Sequence, residues 1–442
     1  MRIIQTIKNI FKIEDLRARL IYTFGIILLY RLGKYVTLPG IDPAQLAGLK
    51  HQTSSGIMGL LDMFSGGAFS QASVFALGIM PYISASIVVQ LLGIVFPYFQ
   101  KLQKEGESGR RKMNQYTRYL TVGVLVLQAP TYLVNLSAQL PASAFILSGF
   151  FFKLSSVVIL TAGTMFVMWL GEKITDKGIG NGISLIIMIG IVARMPSNFI
   201  FEAGTRMNGA GGAIGLIVEI LFLFIIVLGV ILLVQGTRRV PVQYARRIVG
   251  NKQYGGVRQY IPLKVNAAGV MPIIFAQAIM MLPMIIAGYT SSGSGFVVAF
   301  SNMYGFWYNL VTAILIIVFT YFYTAITINP VQMAEDMKKN GGFIPGIKPG
   351  RKTVEFFDTI MSRITFPGSI FLAIVAILPS LAVKATVTPQ FAQFYGGTSL
   401  LILVGVILDT LQQIESHLLM RHYDGLMKSG RVKGRSGAVT SI

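Results

Sequence analysis

Ten apolar stretches, each close to the length needed to cross a lipid bilayer, dominate this sequence. A transmembrane helix needs about 20 mostly apolar residues. The stretches lie near residues 20–38, 72–96, 119–138, 150–170, 182–200, 212–235, 265–289, 306–328, 364–383 and 398–420. Two are weak, because the fifth loses its apolar run at Arg194 and the tenth meets Asp409 after eleven residues. The pattern predicts an all-α polytopic membrane protein with ten transmembrane helices, or nine if one weak stretch does not span.

Composition excludes most soluble classes and most catalytic chemistry. Hydrophobic residues make up 53% of the 442-residue chain and charged residues only 12%, against about 25% in soluble domains. The chain has no Cys, and its three His form no cluster, so we expect no disulfide, metal site or cofactor. The sequence also lacks a Walker motif, a nucleophile–base pair and paired carboxylates at membrane depth. We therefore expect no enzymatic activity.

Lysine and arginine determine the predicted orientation. They stay preferentially in cytoplasmic loops, and with a cytoplasmic N-terminus 31 of the 38 fall in the inner segments. These segments are 1–19, 97–118, 171–181, 236–264, 329–363 and 421–442. The predicted outer loops hold only three, namely Lys50, Arg206 and Lys384. We therefore expect both termini in the cytoplasm.

Two sequence patterns recur, and they indicate an internal duplication. Ala76–Ala85 and Ala267–Ala276 share the string Ala-x-Gly-x-Met-Pro-x-Ile-x-Ala at an offset of 191 residues. Gly182–Gly190 and Gly397–Gly405 share Gly-x-Ser-Leu-x-Ile-x-x-Gly at an offset of 215. If spans 1–5 repeat as 6–10, the unit has an odd number of spans and the second copy must be inverted.

The duplication directs attention to four isoleucines at matching depths. The predicted halves are residues 1–205 and 206–442. Ile83 and Ile274 hold equivalent places in the first pattern, and Ile187 and Ile402 do so in the second. Inverted repeats tend to place the working site near the midplane at their interface. A ring of isoleucines there would be a hydrophobic constriction that gates by dewetting, while lipid contact or helix packing stays an equally open interpretation.

Three connecting segments are unusual. Segment 236–264 holds seven Lys and Arg but no Asp or Glu, and segment 329–363 holds six with a turn-rich stretch at 341–350. Such charges can bind anionic headgroups, at about 1 kcal/mol each, or an acidic or phosphate-bearing partner such as ribosomal RNA. On the outer side, segment 54–70 contains a short apolar piece, Ile57–Phe64. This piece fits either a surface turn or a re-entrant helix that caps a cavity.

Six strings of the sequence resemble the SecY/Sec61-alpha family of protein-conducting channels. They include MFSGGAFSQASVFALGIMPYISASI, PLKVNAAGVMPIIFA and GGFIPGIKPG. The strings occupy residues 63–87, 104–119, 164–184, 262–276, 341–350 and 396–402. The resemblance covers nearly the whole chain and implies the bacterial form, a multi-pass protein of the cytoplasmic (inner) membrane. It implies ten helices in two inverted five-helix halves that open like a clamshell.

The resemblance also implies roles for four groups of residues. The implied pore ring comprises Ile79, Ile83, Ile183, Ile187, Ile274 and Ile402. The implied plug, which seals the closed pore, comprises Ile57, Met58, Leu60, Leu61, Met63 and Phe64. Polar positions of the implied lateral gate are Ser84, Gln128 and Asn266. The implied docking residues for SecA or the ribosome are Arg238, Arg239, Arg246, Arg247, Lys348 and Arg351.

The implied function is that of the central pore subunit of a protein translocation channel. Such a channel passes unfolded secretory polypeptides across the membrane and releases membrane segments sideways into lipid. The implied partners are the small subunits SecE and SecG, the motor ATPase SecA, the ribosome, signal sequences and anionic lipids. Lys348 departs from the family's usual Arg and lacks the bidentate geometry of a guanidinium. The alternative from the repeat alone is an inverted-repeat secondary transporter for small solutes, with Glu219 and Asp409 as its candidate coupling residues.

Overall fold

A computed structural model of the chain describes most of its residues. The described residues are 13–46, 62, 64–147, 149–208, 212–244, 247–249, 252–254, 258–277, 279–280 and 302–428. They divide into two compact units. The described residues of the first unit lie within 13–194 and 406–428, and those of the second lie within 195–405.

Helices make up most of both units. In chain order they are α1 (Glu14–Gly33), α2 (Met80–Val95), α3 (Pro97–Lys104), α4 (Glu107–Gln139), α5 (Phe150–Lys177), α6 (Gly182–Val192), α7 (Met195–Asn208), α8 (Gly212–Gln235), α9 (Phe306–Thr327), α10 (Pro330–Lys339), α11 (Arg351–Lys384), α12 (Pro389–Ala392) and α13 (Gly397–Lys428). Residues 271–277 are also helical, within the predicted span 265–289. The rest of that span, from 281 onward, lies outside the described residues.

Seven helical stretches in the described part of the chain are long and apolar enough to cross a membrane. They are Glu107–Gln139, Phe150–Lys177, Gly182–Asn208, Gly212–Gln235, Phe306–Lys339, Arg351–Lys384 and Gly397–Leu418. The bent pair Met80–Gly93 and Pro97–Gln103 makes an eighth if it counts as one span. The chain is therefore a multi-pass membrane protein, and its count of ten spans stays a prediction.

The second predicted span begins later than the hydropathy indicates. Residues 71–79 form turns, and α2 starts only at Met80. Gly78 has a φ of 55°, a left-handed conformation that ends any preceding helix. Pro81 then occupies the first turn of α2, where its missing N–H costs no hydrogen bond. The turns lie close to α5, since a Cβ on Gly163 would come within 2.2 Å of the Val74 carbonyl oxygen.

The second unit contains a three-stranded sheet, which corrects the prediction of an all-α chain to a mostly helical one. Strand β1 (Thr237–Tyr244) pairs antiparallel with β4 (Arg258–Lys264) from Thr237↔Lys264 to Gln243↔Arg258. The short β5 (Gly342–Phe343) pairs with the other edge of β1. Strands β2 (Arg247–Val249) and β3 (Lys252–Tyr254) form a separate hairpin.

Proline in both long strands explains why sequence reasoning missed this sheet. A proline usually argues against a strand because it cannot donate to the ladder. Pro241 is tolerated in β1 because, among the described residues, β5 pairs only with Gln243 and Tyr244 and leaves the edge beside Pro241 unpaired. The sequence signal for strand β1 was the apolar residue at every second position, Val240 and Val242, both of which are buried.

The sheet has its own apolar core. Val240, Val242 and Leu263 are at most 3% exposed and pack with Ile344 and with Phe357 of α11. This core joins the two basic segments, 236–264 and 329–363, into one folded body. The two segments predicted as loops therefore contain a sheet that packs against a helix.

Candidate functional site

The four pore-ring candidates of the first unit form two pairs, each one helical turn apart. Ile79 is the N-cap of α2 and is fully buried, and its carbonyl accepts from the Ile83 N–H at 3.1 Å. Ile183 and Ile187 lie on α6, where Ile187 is buried and Ile183 is half-buried. Residues four apart share one face of a helix. Each of these helices therefore presents an apolar pair on one side.

The other two candidates lie in the second unit. Ile274 is half-buried in the helical residues 271–277, and its N–H donates to the Val270 carbonyl at 3.3 Å. Ile402 lies in the first turns of α13 and is buried. The six isoleucines belong to different units, so their convergence into one ring stays a prediction.

The predicted plug falls mostly outside the described residues. Ile57, Met58, Leu60, Leu61 and Met63 lie there, and only Phe64, which is buried, can be placed. The described stretch that follows, 64–79, consists of turns after its first residue.

Asp62 organises these turns, although its side chain is almost fully buried at 1% exposure. Its carboxylate forms an ion pair with Arg194 and accepts from the Ser70 N–H at 2.8 Å. Its backbone carbonyl accepts from the Gly67 N–H at 2.8 Å. A buried carboxylate requires such partners, and Asp62 therefore fixes the turns to Arg194, two residues after the end of α6.

Three more side chains of the first unit donate hydrogen bonds to backbone carbonyl oxygens of the same turns. Arg31 donates to Gly66 at 3.2 Å, and the hydroxyl of Tyr30 donates to Ser65 at 3.3 Å. The hydroxyl of Tyr132 donates to Phe69 at 2.9 Å. Buried irregular backbone needs this kind of protein partner. The chain that leads out of the predicted plug is thus anchored on several sides.

The lateral-gate candidates differ in their environment. Ser84 is half-buried on α2, Gln128 is exposed on α4, and Asn266 lies just before the helical residues 271–277. Within the described part of the chain, the buried Oδ1 atom of Asn266 has no hydrogen-bond partner. An unsatisfied buried acceptor costs about 1–3 kcal/mol, so this atom would gain from a partner in another conformation.

A second buried ionic cluster lies in the second unit, and sequence reasoning identified only one of its members, Glu219. Arg206 pairs with Glu219 of α8 and, at 3.3 Å, with Glu202 one turn earlier on α7. Glu202 in turn accepts from the Thr388 N–H at 3.0 Å. All three charged residues are at most 9% exposed. The four-residue spacing of Glu202 and Arg206 was the only sequence signal for their pairing.

Two residues complete this cluster from the segment between α11 and α13. Thr386 adopts a φ of 70°, rare for a β-branched residue, and its hydroxyl accepts from Arg206 at 3.0 Å. The hydroxyl of Tyr395 donates to the Glu219 carbonyl at 3.0 Å. Burial, with the carboxylates of Glu219 and Glu202, raises the pKa of the Tyr395 phenol, which therefore remains a donor. The cluster ties α7, α8 and this segment together.

The docking candidates lie on or beside the sheet. Arg238 and Arg239 are exposed on β1, and Lys348 is exposed in the turn after β5. Arg351 begins α11 with its side chain 94% exposed, and it forms a surface ion pair with Glu355 at 3.4 Å. Of the remaining candidates, Arg246 lies outside the described residues and Arg247 begins β2. The strands thus carry basic side chains from segment 236–264, and those of Lys348 and Arg351 follow β5 about 100 residues later in the chain.

Comparison with known proteins identifies relatives of the whole chain. The SecY family profile matches residues 73–411. The protein translocase subunit SecY of Corynebacterium glutamicum is 44% identical over 438 residues, which cover 95% of this chain and 98% of the relative. The same subunit of Thermotoga maritima is 41% identical and covers 98% of this chain and 99% of the relative.

Solved structures share the fold at low sequence identity. A structure described as that of a protein-conducting channel has a TM-score of 0.58 at 17% identity and covers 90% of this chain and 92% of its own. Sec61 in a canine ribosome-channel complex from the endoplasmic reticulum has a TM-score of 0.55 at 16% identity, with the same coverage.

Removing the central cation of the second-unit cluster should destabilise the protein strongly. We expect Arg206→Met to lower the free energy of unfolding by about 3–5 kcal/mol, because it leaves two buried carboxylates without their partner. The matched control is Arg111→Met, which breaks an ion pair whose partners are both 79% exposed and should cost less than about 1 kcal/mol. Denaturant unfolding in detergent measures both. Equal losses in the two variants would contradict a buried ionic network.

Proposed function

The chain belongs to the SecY family, and we propose that it works as the pore-forming subunit of the channel through which unfolded polypeptides cross the cytoplasmic membrane. It is a protein translocase subunit, and the observation that carries this conclusion is 44% identity with such a subunit over 95% of the chain. The multi-pass helical fold agrees with a channel. Energy for transport would come from partners, since the sequence offers no nucleotide-binding motif.

The proposed seal of the pore is a ring formed by Ile79, Ile83, Ile183, Ile187, Ile274 and Ile402. The one-turn spacing of two pairs, on α2 and α6, supports this assignment because each helix can present two isoleucines on one side. Branched aliphatic side chains bind neither ions nor water. A constriction made of them would resist ion flow by dewetting and still part for a passing chain.

The proposed plug covers residues 57–67 and closes the pore at rest. The support is the anchoring of its described end: Asp62 pairs with Arg194, and Arg31 binds the Gly66 carbonyl. A plug must be held firmly enough to seal and released at moderate cost. A few polar contacts to one unit meet both requirements.

The proposed lateral gate uses Ser84, Gln128 and Asn266. The unsatisfied Oδ1 of Asn266 supports a gate with two conformations, because a polar atom that lacks a partner in one state can gain one in the other. Signal sequences and membrane segments would leave the channel for lipid at this gate.

Partner docking is proposed for the sheet and its basic surface. The apolar core of the sheet, which packs against α11, favours a protein or RNA partner over loose lipid contact, because it holds the backbone that carries Arg238, Arg239 and Arg351 in a fixed arrangement. The partners would be SecA and the ribosome, the latter being bound by the related Sec61 channel. The remaining proposed features are SecE and SecG as small subunits, ten spans in two inverted halves (1–205 and 206–442), and both termini in the cytoplasm.

The alternative, a secondary transporter for small solutes, receives less support. Its coupling residues would need to exchange ions or protons within the membrane. Glu219 is instead engaged by Arg206, and exposed Asp409 accepts from Gln413 one turn away at 3.2 Å. Both carboxylates therefore have structural partners.

Disulfide trapping tests the channel function directly, because the native chain has no Cys. We expect Ile274→Cys to form a disulfide with a single Cys in a stalled secretory chain, and only at certain chain lengths. Leu381→Cys, on an exposed position of α11, is the control that should stay unlinked. If none of the three variants Ile274→Cys, Ile83→Cys and Ile402→Cys forms a cross-link, the proposed polypeptide path is contradicted and the transporter alternative is favoured.

The isoleucine seal and the plug anchor have separate electrical consequences. We expect the double variant Ile83→Asn with Ile274→Asn to conduct ions at rest in planar bilayers, because amide side chains wet the constriction. An unchanged resting conductance would contradict the ring.

Asp62→Asn should raise the frequency of spontaneous openings by about 5–30-fold, which corresponds to the loss of about 1–2 kcal/mol from the partly exposed Arg194 pair. Its control is Asp42→Asn, which removes a half-buried carboxylate that accepts from the Ala44 N–H and should leave openings unchanged. If the two variants behave alike, Asp62 does not hold the plug.

Charge reversal tests the docking surface. We expect Arg238→Glu with Arg239→Glu to leave membrane insertion intact and to weaken SecA or ribosome binding at least about 10-fold, a loss of 1.4 kcal/mol. Arg17→Glu with Arg19→Glu changes the same charge on α1 and serves as the control. Unchanged affinity in the first variant would mean that the sheet charges only hold lipid.

A further inference from the structure

A groove of about 370 Å³ lies on the first unit between α4 and α5. Arg118 lines it from α4, and Met165, Trp169, Glu172, Lys173 and Asp176 line it from α5. None of these residues belongs to the proposed pore, plug, gate or docking surface. The groove therefore requires an explanation of its own.

The lining residues are ordered along α5. Met165, Trp169, Lys173 and Asp176 lie three or four positions apart and share one face of the helix. At 1.5 Å per residue, they extend over about 16 Å along the helix axis. Along the helix, the side chains are first apolar (Met165), then aromatic (Trp169), then cationic (Lys173) and finally anionic (Asp176). A phospholipid shows the matching order from its acyl chain through its phosphate to an amine headgroup.

The groove is lined by two cationic and two anionic side chains, and only one cation and one anion form an ion pair with each other. Arg118 binds Glu172 through two hydrogen bonds, from Nε at 3.2 Å and from Nη2 at 2.7 Å. The ammonium of Lys173 lies 5.6 Å from the centre of the Trp169 ring. Within the described residues, Asp176 has no ion-pair partner within 4.0 Å. One cation and one carboxylate, three residues apart on the same face, therefore remain available to a ligand.

This balance favours a zwitterionic ligand over an anionic one. A headgroup with only negative charge would meet Lys173 favourably but would be repelled by Asp176 and Glu172. A headgroup that carries both a phosphate and a primary ammonium matches Lys173 and Asp176 at once. A primary ammonium also donates hydrogen bonds to a carboxylate, which the quaternary ammonium of a choline headgroup cannot do.

We propose that the groove between α4 and α5 is a binding site for a phospholipid with an ethanolamine headgroup. Lys173 binds the phosphate, Asp176 accepts from the ammonium, and Met165 and Trp169 contact the acyl chains. Trp169 is the type of residue that is enriched at the membrane–water interface. Lys173 and Asp176 belong to the predicted inner segment 171–181, so the lipid would lie in the cytoplasmic leaflet if the proposed topology holds. The site itself depends only on α4 and α5.

Native mass spectrometry of the delipidated translocase complex tests the proposal. The probes are dioleoyl phosphatidylethanolamine, phosphatidylcholine and phosphatidylglycerol, added separately. We expect the wild-type complex to retain phosphatidylethanolamine about 10-fold better than phosphatidylcholine, and Asp176→Asn to abolish that preference without weakening phosphatidylglycerol. Lys173→Gln should weaken all three lipids. The control is Asp358→Asn, which removes another exposed carboxylate, on α11 of the second unit.

Tryptophan fluorescence provides a second readout that places the lipid in the groove. The chain has two tryptophans, Trp169 and Trp307. Brominated phosphatidylethanolamine should quench the Trp307→Phe complex more strongly than brominated phosphatidylcholine does, and Trp169→Phe should lose this difference.

The proposal is overturned if Asp176→Asn keeps the wild-type lipid preference, or if phosphatidylglycerol binds the wild type best. It is also overturned if quenching at Trp169 is absent because a partner subunit's helix occupies the groove. These outcomes concern lipid binding alone. Polypeptide transport by the variants reports separately on the proposed channel function.

Discussion

A charge or an irregular stretch of backbone that is buried away from water must find its ion-pair and hydrogen-bond partners within the protein itself. This constraint explains the two buried ionic clusters. Asp62 and Arg194 make the turns of residues 64–79 compatible with burial, and Arg206 does the same for Glu202 and Glu219. Each cluster joins segments whose polar groups would otherwise be buried without partners. The turn-rich parts of the chain therefore lie where arginine and tyrosine side chains reach them.

The same constraint separates two kinds of surface near the proposed pore. Its lining uses apolar pairs such as Ile183 and Ile187, which form no hydrogen bonds and can part without leaving a polar group unsatisfied. The proposed plug segment is held by polar contacts instead, from Asp62 to Arg194 and from Arg31 to the Gly66 carbonyl, which give it a defined position. A channel for polypeptides needs both properties, because its constriction must adapt to many side chains while its closed state must be a single arrangement.

The sheet of the second unit meets a different requirement. Basic residues on a flexible loop lose conformational entropy when a partner binds them. Here the pairing of β1 with β4 and β5, over a core that includes Val242 and Phe357, orders Arg238, Arg239 and Lys348 in advance. This order reduces the entropic cost of the proposed docking. The proposed lipid site between α4 and α5 follows the same principle, since Lys173 and Asp176 both lie on one helix.

The sequence by itself determined the membrane class, the helical character of most spans, the family and the positions of the candidate pore residues, because hydropathy and local motifs depend only on residues that are near one another in the chain. Only the tertiary structure decided which distant residues meet. Strand β1 pairs with β5, which lies about 100 residues later in the chain. Asp62 pairs with Arg194, and Glu219, a candidate coupling residue in the sequence, pairs with Arg206. A charge or a strand edge that is buried away from water needs a hydrogen-bond or ion-pair partner. The fold decides which residue lies close enough to be that partner, and no local sequence pattern specifies it.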